Sequence, residues 1–296
     1  MPRRPGLVAG DRVTYEHHPV EAAELGRALY TLGGMTTIEG LYNFRDVGGI
    51  PLTEGGRTSP GVLFRSDALS ALTPAGLDAL ARTDIGVIVD FRTPEERQTA
   101  PDRIPPSRPF TVVQLSILEG AVAEMAKQFL GKDATPDPAV LAQAMESIPT
   151  LGDMYIGMLQ HGGEAFAEVA RLIAASRDEE PSAVLVHCTA GKDRTGVATA
   201  LMLEAAGAER AAVVDDYASS QDNLAGPWAD GMIQMVTSFG IPLTPALRTL
   251  VTGTPAGAIV QALTWTDDTH GGAADYLMDN GLTAQELARL RARLAG

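Results

Sequence analysis

The chain has 296 residues, of which 45% are hydrophobic and 20% are charged, which is typical of a folded globular protein and excludes a disordered or fibrous chain. Its 37 acidic and 23 basic residues give a formal net charge of −14. This charge argues against a general nucleic-acid-binding protein and against tight binding to an anionic membrane, because both depend on clustered Lys and Arg. The one cysteine, Cys188, excludes an internal disulfide and a cysteine-rich metal cluster.

The first 40 residues are predicted to form an N-terminal extension that carries no chemistry. They include basic residues but no apolar core of a secretory signal peptide. Apolar stretches elsewhere, such as residues 183–186, are far shorter than the roughly 20 residues of a membrane span. We therefore expect no stable membrane insertion and a cytoplasmic location. The alternative is export by a pathway that does not require a signal peptide.

Strands and helices alternate along the next part of the chain. Thr73 and Thr93 are each followed by proline and predict two helix starts, because threonine caps helix N-termini and proline fits the first turn. Apolar and β-branched segments bounded by turn residues predict the strands. These strands lie within 41–70 (short and broken by turns) and at 85–91, 111–117 and 183–187. The alternation indicates an α/β fold with a mostly parallel sheet flanked by helices.

Residues 118–148 are predicted to be an insertion between core elements. Apolar residues recur at helical spacing in 119–130, and a second helix is predicted at 139–148. Two amphipathic helices at this point either form a lid over a site or pack as ordinary helices, and both interpretations remain open.

Helices predominate in the remaining sequence. A long helix is predicted at 154–175, and residues 209–294 are almost wholly helical. Breaks are predicted near Gly226-Pro227, Gly240 to Pro242, Gly253 to Pro255 and His270 to Gly272. The helical C-terminal region would cover the sheet, so we predict that residues 41–296 form a single domain.

The most informative segment is HCTAGKDRTG at residues 187–196. It joins a predicted strand to a predicted helix, and on this composition its pattern has a chance probability of roughly 10⁻⁵. Such a loop directs backbone N–H groups to its centre, where they bind a tetrahedral oxyanion such as a phosphoryl group. Gly191 lets the loop curve without a Cβ clash. The predicted phosphate-binding residues are His187, Thr189, Ala190, Gly191, Lys192, Asp193 and Arg194.

The same loop contains the groups needed for phosphoryl transfer through a covalent intermediate. The loop dipoles favour the thiolate of Cys188, which is placed for in-line attack on phosphorus. Arg194 can hold two phosphoryl oxygens with its planar guanidinium. Thr195 can donate its hydroxyl to the departing sulfur, and His187 fixes the loop by hydrogen bonds to the backbone. We expect neither a metal nor a cofactor, because these donors already neutralise the charge of the transition state.

Two aspartates are candidates for the general acid that protonates the leaving oxygen. Asp193 lies inside the loop, beside Arg194. Asp90 ends the strand predicted at 85–91, and the carboxyl ends of parallel strands share one crevice, so Asp90 and Cys188 should lie on the same side of the sheet. Reach to the leaving group favours Asp193 slightly, and the choice between the two remains open.

These residues resemble a known superfamily. The loop at 187–196 is similar to the CX5R loop of cysteine-dependent tyrosine and dual-specificity phosphatases. NFRDVGG at 43–49, LFRSD at 63–67 and YLMDNGLT at 276–283 resemble the PtpB-type bacterial phosphatases. The similarity spans about residues 40–295, and the Trp-Pro-Asp acid loop of receptor-type tyrosine phosphatases is missing from the sequence.

The resemblance implies a tyrosine-phosphatase fold with Cys188 as nucleophile and Arg194 as phosphate clamp. By position, Asp193 matches a proposed general acid, and Lys192 matches a lysine associated with extra negative charge on substrates such as phosphoinositides. The family's two-helix lid corresponds to residues 118–148. The implied partner is a phosphorylated protein or a phosphoinositide.

The leading hypothesis is therefore a metal-independent phosphatase that hydrolyses phosphotyrosine monoesters, or also phosphoserine, phosphothreonine or phosphoinositide. The alternative is a catalytically weak phosphate-recognition module, against which the intact Cys188, Arg194 and Thr195 argue. Arsenate reduction on a similar loop would need a second, resolving cysteine, which this chain does not have.

Overall fold

The computed structural model describes residues 37–117, 149–178, 181–238 and 242–296. The strands in these residues are β1 (Arg45–Asp46), β2 (Leu63–Ser66), β3 (Ile85–Asp90), β4 (Thr111–Gln114) and β5 (Ala183–His187). They form one sheet in the spatial order β1–β2–β5–β3–β4. β1 is antiparallel to β2, and the other neighbouring strands are parallel. The mostly parallel sheet confirms the predicted α/β class.

The α-helices in the described ranges surround this sheet. They are α1 (Pro74–Ala81), α2 (Pro94–Thr99), α3 (Leu151–Ala175), α4 (Arg194–Ala205), α5 (Arg210–Asn223), α6 (Pro227–Ser238), α7 (Pro245–Thr252), α8 (Ala256–His270), α9 (Ala273–Asp279) and α10 (Ala284–Ala295). The predicted breaks near 226, 253 and 270 all separate helices. At the last of these, Gly271 ends α8 with a φ of 91°, a left-handed conformation that glycine adopts without a steric cost.

The core lies around β5 and α4. All five residues of β5 are buried between β2 and β3. In α4, Glu204 is the one residue that is not buried, as expected for a helix that is apolar on every side. α3 packs on α4, α8 and α10. Because α4 continues directly from the loop after β5, that loop is held between two buried elements of the core.

The strand register brings three strand ends to one edge of the sheet. His187, the last residue of β5, is level with Ser66 of β2 on one side and with Asp90 of β3 on the other. The loops that follow these three strands therefore start side by side. This arrangement agrees with the expectation that Asp90 and Cys188 lie at the same edge.

Local capping explains where the helices begin. Thr73 accepts a hydrogen bond from the Gly76 N–H, and Thr93 caps α2, so both predicted helix starts are confirmed. α3 begins at Leu151, three residues before the predicted start, because Thr150 and Asp153 form a capping box. The predicted strand 111–117 is shorter, since β4 ends at Gln114.

Three predicted features lie wholly or partly outside the described residues. They are residues 1–36 of the predicted N-terminal extension, the whole candidate lid, 118–148, and residues 240–241 of the predicted break near Pro242, and all three stay predictions. Across the described ranges, no helix combines the length and the apolar character needed to cross a bilayer.

Candidate active site

The loop of residues 188–193 lies between β5 and α4, at the edge where the strand ends meet. Cys188 is the first residue of the loop and is only 1% exposed. Gly191 has a φ of 68°, and a Cβ at this position would lie 2.3 Å from the carbonyl oxygen of Ser66. Only glycine satisfies both the left-handed backbone and the close approach to β2, which explains why this residue type is needed here.

The backbone amides of the loop are unusual in their hydrogen bonding. The N–H groups of residues 189–193 donate to no acceptor within the described part of the chain. Asp193 is the N-cap of α4, but its side chain makes no capping hydrogen bond. The loop therefore presents uncommitted donors at the positive end of a helix dipole, which is a suitable site for a tetrahedral anion.

Arg194 is held by a carboxylate from another part of the chain. Its Nη1 and Nη2 atoms donate to Oε2 and Oε1 of Glu96, each at 2.7 Å. Thr189 donates its hydroxyl to the same carboxylate at 2.6 Å, and Glu96 also accepts from the Thr93 N–H at 2.8 Å. This bidentate pair fixes the plane of the guanidinium beside the loop.

The charge of Glu96 is stabilised by these donors. Burial by itself raises the pKa of Glu96, but the hydrogen bonds and charge of Arg194 outweigh it and lower the pKa to about 2. The carboxylate is thus ionised at neutral pH, as the ion pair with Arg194 requires. In the sequence, TPEE at 93–96 indicates only a capping box, so Glu96 was not predicted at the site. In the structure, Glu96 serves in the cap and at the loop together.

Asp193 is the last residue of the loop, and its two carboxylate oxygens lie in different surroundings. The Tyr155 hydroxyl and the Lys192 ammonium both donate to Oδ1, at 2.6 and 2.9 Å. Oδ2 has no hydrogen-bond partner among the described residues. Burial and then the nearby charge of Asp193 raise the pKa of Tyr155 well above its usual value, so this phenol remains a hydrogen-bond donor. Asp193 is thus fixed through one oxygen and open at the other.

Asp90 is in a very different environment. Both of its oxygens accept from Arg92, each at 2.9 Å, and it is 1% exposed. Arg92 also pairs with Asp102 at 2.7 Å, and Asp102 lies 3.3 Å from Nε2 of His187. His187 thus belongs to a buried charged network beneath the loop, and its Nδ1 is 3.3 Å from the Cys188 carbonyl oxygen.

Donor atoms in this network are close enough to surround a metal ion. One atom each from Asp90, Asp102 and His187 lie within 4.8 Å of one another. The guanidinium of Arg92 already lies against both carboxylates and supplies the positive charge that they need. These residues therefore fit an internal ion-pair network better than a metal site.

Lys192 uses its ammonium within the protein. Besides Asp193, Nζ donates to the carbonyl oxygens of Leu250 and Gly253 at 3.0 and 3.2 Å. An ammonium has three N–H bonds, and in this structure all three have acceptors. The structure thus places Lys192 between Asp193 and the end of α7. Its ammonium has no N–H left to donate to an additional negative group of the substrate, the role that the resemblance implies.

Thr195 is in the first turn of α4. Its Oγ1 is buried and has no hydrogen-bond partner in the described ranges. A buried hydroxyl without a partner is costly, so its presence beside the loop is compatible with the predicted donation to sulfur. That role remains a prediction.

The comparison with known protein families matches residues 36–296 to a family described as "Tyrosine phosphatase family". The chain belongs to this tyrosine phosphatase family. Membership confirms the predicted superfamily and the predicted enzyme class, a phosphoric monoester hydrolase, and the mixed sheet flanked by helices agrees with a tyrosine-phosphatase fold.

Individual relatives cover most of this phosphatase. It is 32% identical over 237 residues to a tyrosine-protein phosphatase of Nostoc commune, which covers 78% of this chain and 73% of that protein. It is 31% identical over 280 residues to the triple specificity protein phosphatase PtpB of Mycobacterium tuberculosis, covering 88% and 98%. A putative tyrosine-protein phosphatase of Cupriavidus necator is 29% identical over 239 residues, with 81% of both chains covered.

Proposed function

We propose that this phosphatase hydrolyses phosphotyrosine monoesters through a cysteinyl-phosphate intermediate on Cys188. The observation that carries the proposal is the loop itself, with a buried cysteine followed by five amides, 189–193, that have no acceptor in the described part of the chain. Arg194, oriented by Glu96, adds positive charge beside them. Thiol, amides and guanidinium together are suited to bind and attack one phosphoryl group.

The proposed reaction has two steps. In the first, the thiolate of Cys188 attacks phosphorus in line, the S–P bond forms, the P–O bond to the alcohol breaks, and Asp193 gives its proton to the leaving oxygen. In the second, water attacks phosphorus, the S–P bond breaks, and Asp193 takes a proton from that water. Thr195 donates to the sulfur as it leaves, and inorganic phosphate is released.

The surroundings of the two aspartates favour Asp193 as the acid. Its Oδ2 is open, whereas both oxygens of Asp90 accept from Arg92 in a fully buried pair. A general acid needs a carboxylate oxygen that can reach the leaving group, and both oxygens of Asp90 are engaged by Arg92. Asp90 therefore suits a supporting role beneath the loop.

Phosphotyrosine is the substrate class that we propose first, with phosphoserine, phosphothreonine and phosphoinositides as further candidates. The names of the Nostoc and Mycobacterium relatives, a tyrosine-protein phosphatase and a triple specificity protein phosphatase, support activity on protein substrates. The internal hydrogen bonds of Lys192 favour a monophosphate over a lipid with additional phosphates.

The test is phosphate release in chelator-containing buffer from phosphotyrosine, phosphoserine and phosphothreonine peptides and from monophosphorylated phosphoinositides. We expect turnover that survives the chelator and is highest on the phosphotyrosine peptide. A higher kcat/KM on a phosphoinositide would replace the proposed substrate class. Phosphate binding without turnover on any member of the panel would instead favour the phosphate-recognition module.

Replacing Asp193 with asparagine is expected to slow hydrolysis most where the leaving group needs a proton. The amide keeps an oxygen to accept from Tyr155 and Lys192 but cannot donate the acid's proton. We expect kcat/KM to fall by about 10²-fold or more on phenyl phosphate and by less than about 10-fold on dinitrophenyl phosphate.

Asp90→Asn is the matched control for this prediction. It removes the same charge at the same edge of the sheet, and any loss should be equal on the two substrates because it acts through the loop. An equal loss on both substrates in Asp193→Asn, together with a leaving-group dependence in Asp90→Asn, would assign the acid to Asp90.

A further inference from the structure

The side of the phosphate loop that faces away from its centre is bound by donors from the segments that flank β1 and β2. The Thr189 carbonyl oxygen accepts from the Ala68 N–H at 3.1 Å. The next two carbonyl oxygens, of Ala190 and Gly191, accept from Nδ2 of Asn43 at 3.2 and 3.0 Å. Three consecutive carbonyl groups of the loop are therefore held by the surrounding protein.

The hydrogen bonds to these carbonyls also determine where the loop amides point. In a planar trans peptide the C=O of one residue and the N–H of the next point in opposite directions. Holding the carbonyls of Ala190 and Gly191 toward Asn43 thus turns the N–H groups of Gly191 and Lys192 to the other side of the loop. Those N–H groups are among the amides without an acceptor in the described ranges.

The side chain of Asn43 is itself held in one orientation. Its Oδ1 accepts from Nη1 of Arg45 at 2.5 Å and from Nδ2 of Asn223 at 3.2 Å. Its backbone N–H donates to Asp67 at 3.0 Å, and the residue is fully buried. Because donors surround the oxygen, only the amide nitrogen can face the loop carbonyls.

A buried arginine supports the same peptide. Nη2 of Arg65 donates to the Gly191 carbonyl oxygen at 2.8 Å, and Nη1 pairs with Asp216 of α5 at 2.6 Å. Asp216 also pairs with Arg45 at 2.8 Å. The ion pairs compensate the buried charge of Arg65 and connect the loop to α5.

We propose that Asn43 is a positioning residue of this phosphatase, which holds two loop carbonyls outward so that the following amides face the phosphoryl group, with Arg65 as its support. The inference rests on the proposed function, since it assigns to the loop the binding of phosphate. Asn43 does not touch the substrate, and its effect passes through the orientation of the Gly191 and Lys192 amides.

Asn43→Asp is the sharpest test, because it replaces the donating NH2 group with an oxygen of nearly the same size. That oxygen would face two carbonyl oxygens, and the loop peptides would have to turn. We expect the inhibition constant of inorganic phosphate and the KM for nitrophenyl phosphate each to rise by at least about 10-fold. Thermal unfolding, followed in parallel, identifies the folded variants.

Asn280→Asp is the matched control. Asn280 also donates its side-chain amide to a backbone carbonyl, that of Tyr276, at 2.8 Å, but it lies at the end of α9. We expect its phosphate inhibition constant to stay within about twofold of the parent value. A purely structural role for Asn43 would lower the unfolding temperature and leave the phosphate affinity of the folded protein unchanged.

Two further variants test the positioning role of Asn43 if Asn43→Asp does not fold. Asn43→Ala removes the donor without adding a charge, and Arg65→Lys keeps the charge beside Asp216 but lacks the planar pair of donors that joins Asp216 to the Gly191 carbonyl. Weaker phosphate inhibition in either folded variant supports the proposal, and parental inhibition in both overturns it. A parent protein with neither turnover nor phosphate binding would instead contradict the proposed function.

Discussion

Replacing Cys188 with serine is expected to lower kcat on phosphotyrosine peptides by on the order of 10⁴-fold or more, by analogy with the loss of other covalent nucleophiles. A serine hydroxyl is nearly the size of the thiol, but it is a far weaker nucleophile at neutral pH because it stays protonated. The amides of 189–193 and the Arg194–Glu96 pair do not depend on the sulfur. Inorganic phosphate should therefore inhibit or bind the variant at least as well as the parent.

The covalent intermediate can be measured directly in the same experiment. Acid quenching of the parent enzyme with a radiolabelled phosphotyrosine peptide should leave label on the protein, and Cys188→Ser should leave none. Turnover in the serine variant within about tenfold of the parent, or label retained on it, would exclude Cys188 as the nucleophile. Loss of both turnover and phosphate binding would show instead that the loop needs the thiol for its shape.

Replacing Arg194 with lysine is expected to reduce kcat/KM by about 10² to 10³-fold, the usual cost of removing a donor to a transition-state oxyanion. Lysine keeps the charge but lacks the planar pair of donors that Glu96 holds at 2.7 Å on both sides. Glu96→Gln keeps the shape and removes the charge that orients Arg194, so we expect a smaller loss, of about 10-fold.

Arg171→Lys is the matched control for this pair of variants. Arg171 also pairs with a glutamate, Glu168, at 2.6 Å, but this pair lies on a partly exposed face of α3, where ion pairs contribute little. Its kinetics should match those of the parent. If Glu96→Gln also matches the parent while Arg194→Lys is impaired, Glu96 is a helix cap and not an orienting residue.

The proposed catalytic loop could be recognised from the sequence because its information is local. A strand, a cysteine, a glycine and an arginine lie within a few residues at 183–194, and the chain geometry from β5 into α4 follows from that order. The helix starts at Thr73 and Thr93 were predicted for the same reason, since a cap and its partner are three residues apart. The order of strands in the sheet could not be derived in this way.

The partners of the loop were decided by the tertiary structure. Glu96 is 98 positions from Arg194, and Asn43 is 147 positions from Ala190; neither has a local pattern that indicates its contact with the loop. Asp90 was placed correctly at the edge of the sheet, and its pairing with Arg92 is local. The pairing of Arg92 with Asp102, however, depends on the segment that follows α2. The surroundings of Lys192, with the carbonyls of Leu250 and Gly253, likewise depend on distant helices.

By itself, then, the sequence determined the α/β class and indicated the family, and it also supplied Cys188 and Arg194 as the proposed nucleophile and phosphate clamp, because each depends on residue type and short-range order. The tertiary structure decided that Oδ2 of Asp193 is open while both oxygens of Asp90 are bound. It also decided which acceptors the Lys192 ammonium contacts and which side chains hold the loop. These properties depend on hydrogen bonds between residues far apart in the chain, which form only when folding brings β2, β3 and β5 side by side.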